Sequence, residues 1–362
     1  MEKNIAKTKK TELSIFNVIL CMIVVLIHLM SKSRAELQQF PDAPLYKVFV
    51  AASRATTFVV QAFIFISAIK TFLNDRRENY GKFIVKRIKT VIIPYIIAVL
   101  LYYIYFAYYM RWLEPSAKDF FGYLLRGDLA AHFYFIIVIA QFYVLYPLWR
   151  FILSRVNPII AIAISWVITA VCGWYAPFIL NSAFGISISW LDRTFTTYLL
   201  YWVLGMYAGK YYDSFIKYIK RFGWVALVAA VGFAVLDSIM VFMQSAGRIG
   251  PLHLDAVHGL FCVFAMISGL YISYCLRNHA NLFVRVLDGG SYYIYLIHIL
   301  FINILDYNLS EYHVNGVTLD FAARTVTIYA AVIILAWAMY LIKKGIAAAK
   351  PQRKHINKNR GL

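Results

Sequence analysis

The chain has 362 residues, of which 62% are hydrophobic and 15% charged, and it carries a formal charge of +19. A soluble domain is usually about 45–50% apolar and about 25% charged, so a soluble two-domain enzyme of this length is excluded. The positive charge does not mark a nucleic-acid binder either. Lys and Arg fall in short segments between long apolar runs, as membrane topology demands, and not along one soluble face.

The apolar runs are about twenty residues long, enough to cross a bilayer as helices, and too continuous for the alternating pattern of barrel strands. Ten spans are expected, at 13–30, 46–72, 91–112, 132–153, 156–178, 194–211, 223–244, 256–276, 291–309 and 323–343. The fold class is therefore an all-α, polytopic transmembrane helix bundle. A tail at 1–12, a membrane domain at 13–345 and a basic tail at 346–362 make up the whole. With the N-terminus in the cytoplasm, 25 of the 36 Lys and Arg fall on the inner side and 9 on the outer side. Both termini are then cytoplasmic. The first run follows Lys3, Lys7, Lys9 and Lys10 without a small-residue cleavage site, so it is expected to stay as a membrane helix.

Ionisable residues inside spans are costly, about 2.5–3.5 kcal/mol each, and tend to face the bundle interior. In the first span, Asn17 and His28 lie eleven residues apart. At 100° per residue they share one helix face, about 16 Å apart along the axis. His28 is either an interfacial imidazole bonded to a neighbour or a functional one. In the second span Arg54 lies roughly 12 Å deep, beyond easy reach of the interface. It suits an ion pair, with Asp237 of the seventh span as a candidate partner, or an anion clamp. The segment 76–89 is basic, with Lys86, Arg87 and Lys89 leading into the third span. His132 stands at the mouth of the fourth span and His258 in the eighth. In the ninth, Ser291, Tyr295 and His298 share a face, which reads as a packing seam or as a catalytic stripe. Tyrosines inside spans three, four and six suit either a sugar-binding cavity or helix packing.

Histidines spread over four helices can mimic a metal site, but no cluster of Cys, Asp or Glu accompanies them, and no metal is expected. Cys21, Cys172, Cys262 and Cys275 all lie in apolar runs without a Cys-x-x-Cys pair, and read as small buried hydrophobes.

Five segments, in order, resemble the acyltransferase-3 family of bacterial membrane acyltransferases. They are Leu13-Ser-Ile-Phe-Asn-Val through Val24-Val-Leu-Ile-His28; Ala52-Ser-Arg54 leading to Phe63-Ile-Phe-Ile-Ser67-Ala68; Lys86-Arg87-Ile-Lys89 leading to Ile93-Pro94-Tyr95; His132-Phe-Tyr-Phe135 with Gln141-Phe-Tyr143 and Tyr146-Pro147-Leu148; and Ser291-Tyr-Tyr-Ile-Tyr295-Leu-Ile-His298. Leu204-Gly205 is a weaker sixth. The subgroup that handles intercellular-adhesin polysaccharide is the most similar. Two positions depart from the family pattern: Asn17 stands where the family carries Arg, and Ser67-Ala68 replaces Ser-Gly.

The resemblance implies acyl transfer, acetyl or succinyl, from a cytoplasmic acyl-CoA donor to a hydroxyl of a cell-surface polysaccharide or lipid-linked sugar. It implies a place in the bacterial cytoplasmic membrane, no permanently bound cofactor, and a possible polysaccharide synthase complex as partner. His28 is then the base, Arg54 the oxyanion partner, and His132 and His298 position the base or the acceptor. Asn17 with Lys86, Arg87 and Lys89 would meet the donor. Asn hydrogen-bonds but cannot neutralise a phosphate, so the three basic residues must supply the charge. A sugar exporter or flippase, or an inactive scaffold in a synthase complex, remain the alternatives.

Overall fold

A computed structural model describes residues 10–75, 77–185, 190–309 and 316–349. The tail at 1–9 and most of the basic tail lie outside the described residues. Among those described, all regular structure is helical.

Helix α1 (Thr11–Leu37) is the axis of the bundle. It packs against α2 (Pro44–Thr56), α3 (Val59–Phe72), α13 (Pro251–Cys275), α14 (Leu282–Leu309) and α15 (Val317–Ala349). Its apolar window is 61% buried, against 17% for α12 (Tyr212–Ser245) and 17% for α15, which turn most of their surface outward. Apolar residues facing outward are what a helix needs against lipid.

Several spans depart from regular α-helix where the sequence gives a reason, and Pro44–Phe72 and Tyr80–Tyr109 each still run as one candidate span. The expected second span is two helices, α2 and α3, parted at Thr57 and Phe58. Here Thr56 Oγ1 donates to Ala52 O (3.0 Å) and Thr57 Oγ1 to Arg54 O (2.8 Å), so the side chains compete with the backbone ladder. Helices α4 (Tyr80–Arg87) and α5 (Ile93–Ile104) are joined by a π-helical turn at Ile88–Ile92 just before Pro94, whose ring nitrogen cannot donate. The basic segment 80–89 is thus part of a continuous helical rod and not a loop. Helices α7 (Tyr134–Val144) and α8 (Tyr146–Arg155) bend by 56° across Leu145, just before Pro147 in the first turn of α8. The indole of Trp149 donates to Phe142 O (2.8 Å) across that bend. A short α6 (Ala117–Arg126) precedes them; α9 (Pro158–Ala170), α10 (Ala176–Phe184) and α11 (Leu199–Lys210) follow.

By length and composition seven helices can cross a bilayer, or eight with the bent pair, against the ten spans expected. The two others fall on α11 and α14. The 12-residue α11 rises about 18 Å and is short for a span by itself, but the 3-10 turn Phe195–Tyr198 leads straight into it. With 28 residues α14 is long enough, but its polar residues keep it out of the apolar class. It is an interior helix, covered by α1, α5 and α15, and protein contact relieves it of the need to be apolar.

Helix α11 is held by close approach to α3. A Cβ on Gly209 would lie 2.7 Å from the carbonyl oxygen of Ile69, and one on Gly205 would strike the carbonyl of Phe65. The pair spells Gly-x-x-x-Gly, the small-residue motif that lets two membrane helices touch. Gly205→Val should lower the melting temperature of the detergent-solubilised protein, because overpacking costs about 1–3 kcal/mol. Gly289→Ala, where nothing lies within 4 Å of the added carbon, should leave it nearly unchanged. Equal melting of the two variants would contradict this packing.

Candidate functional site

The polar stripe of α1 meets the polar stripe of α14 in register. Near one end, Asn17 Nδ2 donates to Asp288 Oδ1 (3.0 Å) and to Ser291 Oγ (2.8 Å). One turn on, the Cys21 thiol lies 3.4 Å from Ser291 O. Towards the other end the rings of His28 and His298 stand 5.1 Å apart. Further still, Lys32 reaches Asp306 at 3.5 Å, and Asp306 is held twice by the buried Arg324 of α15, at 2.8 and 2.9 Å. The two helices therefore run in the same direction. Asp288 was missed in the sequence. It lies three residues before Ser291, on the same face as Tyr295 and His298, and extending that stripe by one turn finds it.

His132 joins the two α14–α1 histidines. Its ring is 4.9 Å from His298 and 6.2 Å from His28, centroid to centroid. It sits in the turn before α7, buried, with its carbonyl accepting from the Tyr295 hydroxyl. The hydrogen bonds assign the tautomers. His298 Nδ1 lies 2.8 Å from Tyr295 O and 3.1 Å from Ile294 O, so Nδ1 carries the hydrogen and Nε2 the lone pair. His132 Nε2 lies 3.2 Å from Leu296 O, so there Nδ1 is the lone pair. Both lone-pair nitrogens are buried without a partner among the described residues. His28 is half-buried, and its ring has no hydrogen bond among them. Three imidazoles from three segments thus present basic nitrogens to one small region. Among the described residues, no group of three His, Cys, Asp or Glu is placed to hold a metal ion.

His28 and His132 line a cavity of 290 Å³, together with Thr57, Gln61, Tyr134 and Tyr198. That is close to the lower end of small-molecule sites, about 300–1,000 Å³. His298 is fully buried behind it. A second cavity, of 120 Å³, holds Asn17, Ser67, Tyr143, Ser291 and Tyr292. Phe63, Phe135 and Tyr295 line both cavities. Their rings lie 5.6–6.2 Å apart in pairs and form the partition between them.

The remaining candidates divide. Arg54 does not line either cavity. Its Nε and Nη2 donate to Asp237 at 3.0 and 3.3 Å, the ion pair that sequence analysis weighed against an anion clamp. Asp237 is 1% exposed and also meets His258 Nδ1 at 2.8 Å. Of the three basic residues before the third span, Lys86 pairs with Glu78 at 3.6 Å and Lys89 is exposed. Arg87 alone turns inward. Its guanidinium lies 4.3 Å over the ring of Tyr143, a wall of the Asn17 cavity; Nη2 donates to Thr71 Oγ1 (3.3 Å), and Nε is buried without a partner among the described residues.

Arg54→Ala should cost about 3–5 kcal/mol, because it strands Asp237 in a buried place. The Arg54→Ala/Asp237→Ala pair should cost less than the two single losses together, read from melting of the solubilised protein. An Arg54→Ala protein that melts like the parent but has lost all activity would point to the anion clamp instead.

The chain matches the family model described as "Acyltransferase domain" over residues 12–341. A Bacillus subtilis (strain 168) protein named "Putative membrane-bound acyltransferase YfiQ" is 28% identical over 349 residues, covering 92% of each chain. A Staphylococcus aureus (strain MSSA476) protein named "Probable poly-beta-1,6-N-acetyl-D-glucosamine export protein" is 24% identical over 306 residues, 81% of this chain and 82% of the relative. A Staphylococcus epidermidis protein of the same name is 23% identical over 300 residues, 81% of each. No solved structure matches. The match runs through every element that carries the paired polar stripes and both cavities, and the chain belongs to the acyltransferase-3 family of multi-pass membrane acyltransferases.

Proposed function

We propose that this acyltransferase moves an acetyl or succinyl group from a cytoplasmic acyl-CoA to a hydroxyl of a cell-surface polysaccharide or lipid-linked sugar, in the bacterial cytoplasmic membrane. The convergence of His28, His132 and His298 beside a cavity carries this reading. A sugar hydroxyl is a poor nucleophile at neutral pH and needs a base. His28, free of other hydrogen bonds and lining the cavity, takes the acceptor's proton as the oxygen bonds the acyl carbon. The carbon–sulfur bond breaks, and the proton finally leaves with the thiolate. His132 and His298 hold the His28 ring in place, and Thr57, Gln61, Tyr134 and Tyr198 add polar groups to the cavity wall.

The donor side falls at the other end of α1. Basic residues dominate the flanks assigned to the cytoplasm, and Arg87 packs over Tyr143, which lines the Asn17 cavity. Asn17 cannot neutralise a phosphate, so Arg87 supplies the charge that the family's first-span Arg would bring. The acyl end is uncharged or small beside the nucleotide. It crosses the partition of Phe63, Phe135 and Tyr295 while the phosphates stay at the basic mouth. The staphylococcal relatives' names suggest an amino-sugar polysaccharide as acceptor.

Those names also favour a second reading, export of the polysaccharide itself. One experiment separates them. Purified protein with radiolabelled acetyl- or succinyl-CoA and a β-1,6-linked N-acetylglucosamine oligosaccharide should yield labelled glycan. His28→Ala should lower the rate about 10²–10⁴-fold with unchanged melting. Wild-type protein that never labels glycan, yet moves it across proteoliposome membranes, would overturn the enzyme reading in favour of export.

A further inference from the structure

One more residue of the His28 cavity stands in a catalytic geometry that the mechanism above does not use. Thr57 lies in the break between α2 and α3 and lines that cavity. Its Oγ1 is 3.0 Å from His258 Nε2, and His258 Nδ1 is 2.8 Å from Asp237 Oδ2. Hydroxyl, imidazole and buried carboxylate thus follow in the order that turns a hydroxyl into a nucleophile. Three separate segments meet to build it: the break at Thr57, α13 and α12.

The charges support proton transfer to His258. Asp237 is held by Arg54, and Asp255 lies 3.9 Å from Arg54 Nη2. The buried Asp237 carboxylate on Nδ1 favours the imidazolium that forms when Nε2 takes the Thr57 proton. The Thr57 hydroxyl has one hydrogen and two acceptors in reach, His258 Nε2 and Arg54 O (2.8 Å), and rotation chooses between them. Cys262 Sγ is also 3.5 Å from His258 Nε2, but Cys262 is fully buried and does not line the cavity.

We propose that Thr57 accepts the acyl group as an ester before it reaches the sugar, which rests on the acyl-CoA reading above and splits its single displacement into two. In the first step the Thr57 proton passes to His258 Nε2. Oγ1 bonds the acyl carbon, and the carbon–sulfur bond breaks to release thiolate. In the second, the acceptor hydroxyl gives its proton to His28 and bonds the acyl carbon. The ester bond to Thr57 breaks, and His258 returns its proton to Oγ1. The proton on His28 and the thiolate leave together as thiol, so both histidines are reset.

The test uses purified full-length protein in lipid nanodiscs with radiolabelled acetyl-CoA and no acceptor. An acid-stable, hydroxylamine-resistant label should form, and peptide mass spectrometry should place it on Thr57; glycan acceptor should chase it off. Thr57→Val should abolish the label and slow glycan transfer at least about a hundredfold. Thr57→Ser, which restores the hydroxyl, should recover both, a rescue that a packing role does not require. Thr57→Val transferring at the wild-type rate, or wild-type label on Cys262 or His28, would overturn the proposal and leave the acyl-CoA reading standing. Wild-type protein that neither labels nor transfers would overturn both.

Discussion

A polar side chain inside a bilayer has no water to satisfy it, and leaving it in lipid costs several kilocalories per mole. It must find a partner on another helix. In this chain that requirement fixes the register of α1 on α14 at two levels, Asn17 with Asp288 and Ser291, and Lys32 with Asp306, and the His28 and His298 rings meet between them. The apolar residues between them have no comparable preference, because lipid tails are as good a neighbour as another leucine. Polar pairing sets which helices meet and at what height; packing, such as the Gly205 and Gly209 contact on α3, then fixes how closely.

The same constraint builds the chemistry. An imidazole forced inward by its cost in lipid arrives beside others forced inward for the same reason. Here the rings of His28, His132 and His298 meet within 4.9–6.2 Å, and backbone carbonyls take one nitrogen of His132 and one of His298. What remains is a lone-pair nitrogen on each of these two rings, buried beside or behind the cavity that His28 and His132 line. The second site, with Asn17 and near Arg87, sits at the other end of the same stripe, beyond Phe63, Phe135 and Tyr295. Aromatic rings stand between Arg87's side of the bundle and the histidines, the separation on which the proposed transfer from an anionic donor depends.

Much of this was legible in the sequence because helical periodicity is a strong signal when the surroundings are uniformly apolar. The shared face of Asn17 and His28, the stripe of Ser291, Tyr295 and His298, and the pairing of Arg54 with Asp237 could be read or weighed from spacing and burial cost. The misses have physical causes. The break at Thr57 follows from side chains bonding carbonyls three and four residues back, which composition does not reveal. His258 gains meaning only from Thr57 and Asp237, some 200 and 21 positions away, contacts that tertiary packing alone creates. The expected sixth and ninth spans differ from lipid-facing helices for a physical reason. The 12-residue α11 and the polar α14 are sheltered by neighbours.

The most direct measurement is a cryo-electron microscopy map of the protein with a non-reactive thioether analogue of acyl-CoA. The account requires the nucleotide to rest at Arg87 and the acyl end to lie beyond the three-ring partition, in contact with His28. An analogue bound wholly outside the bundle, or threaded through lipid-facing grooves with His28 untouched, would contradict it.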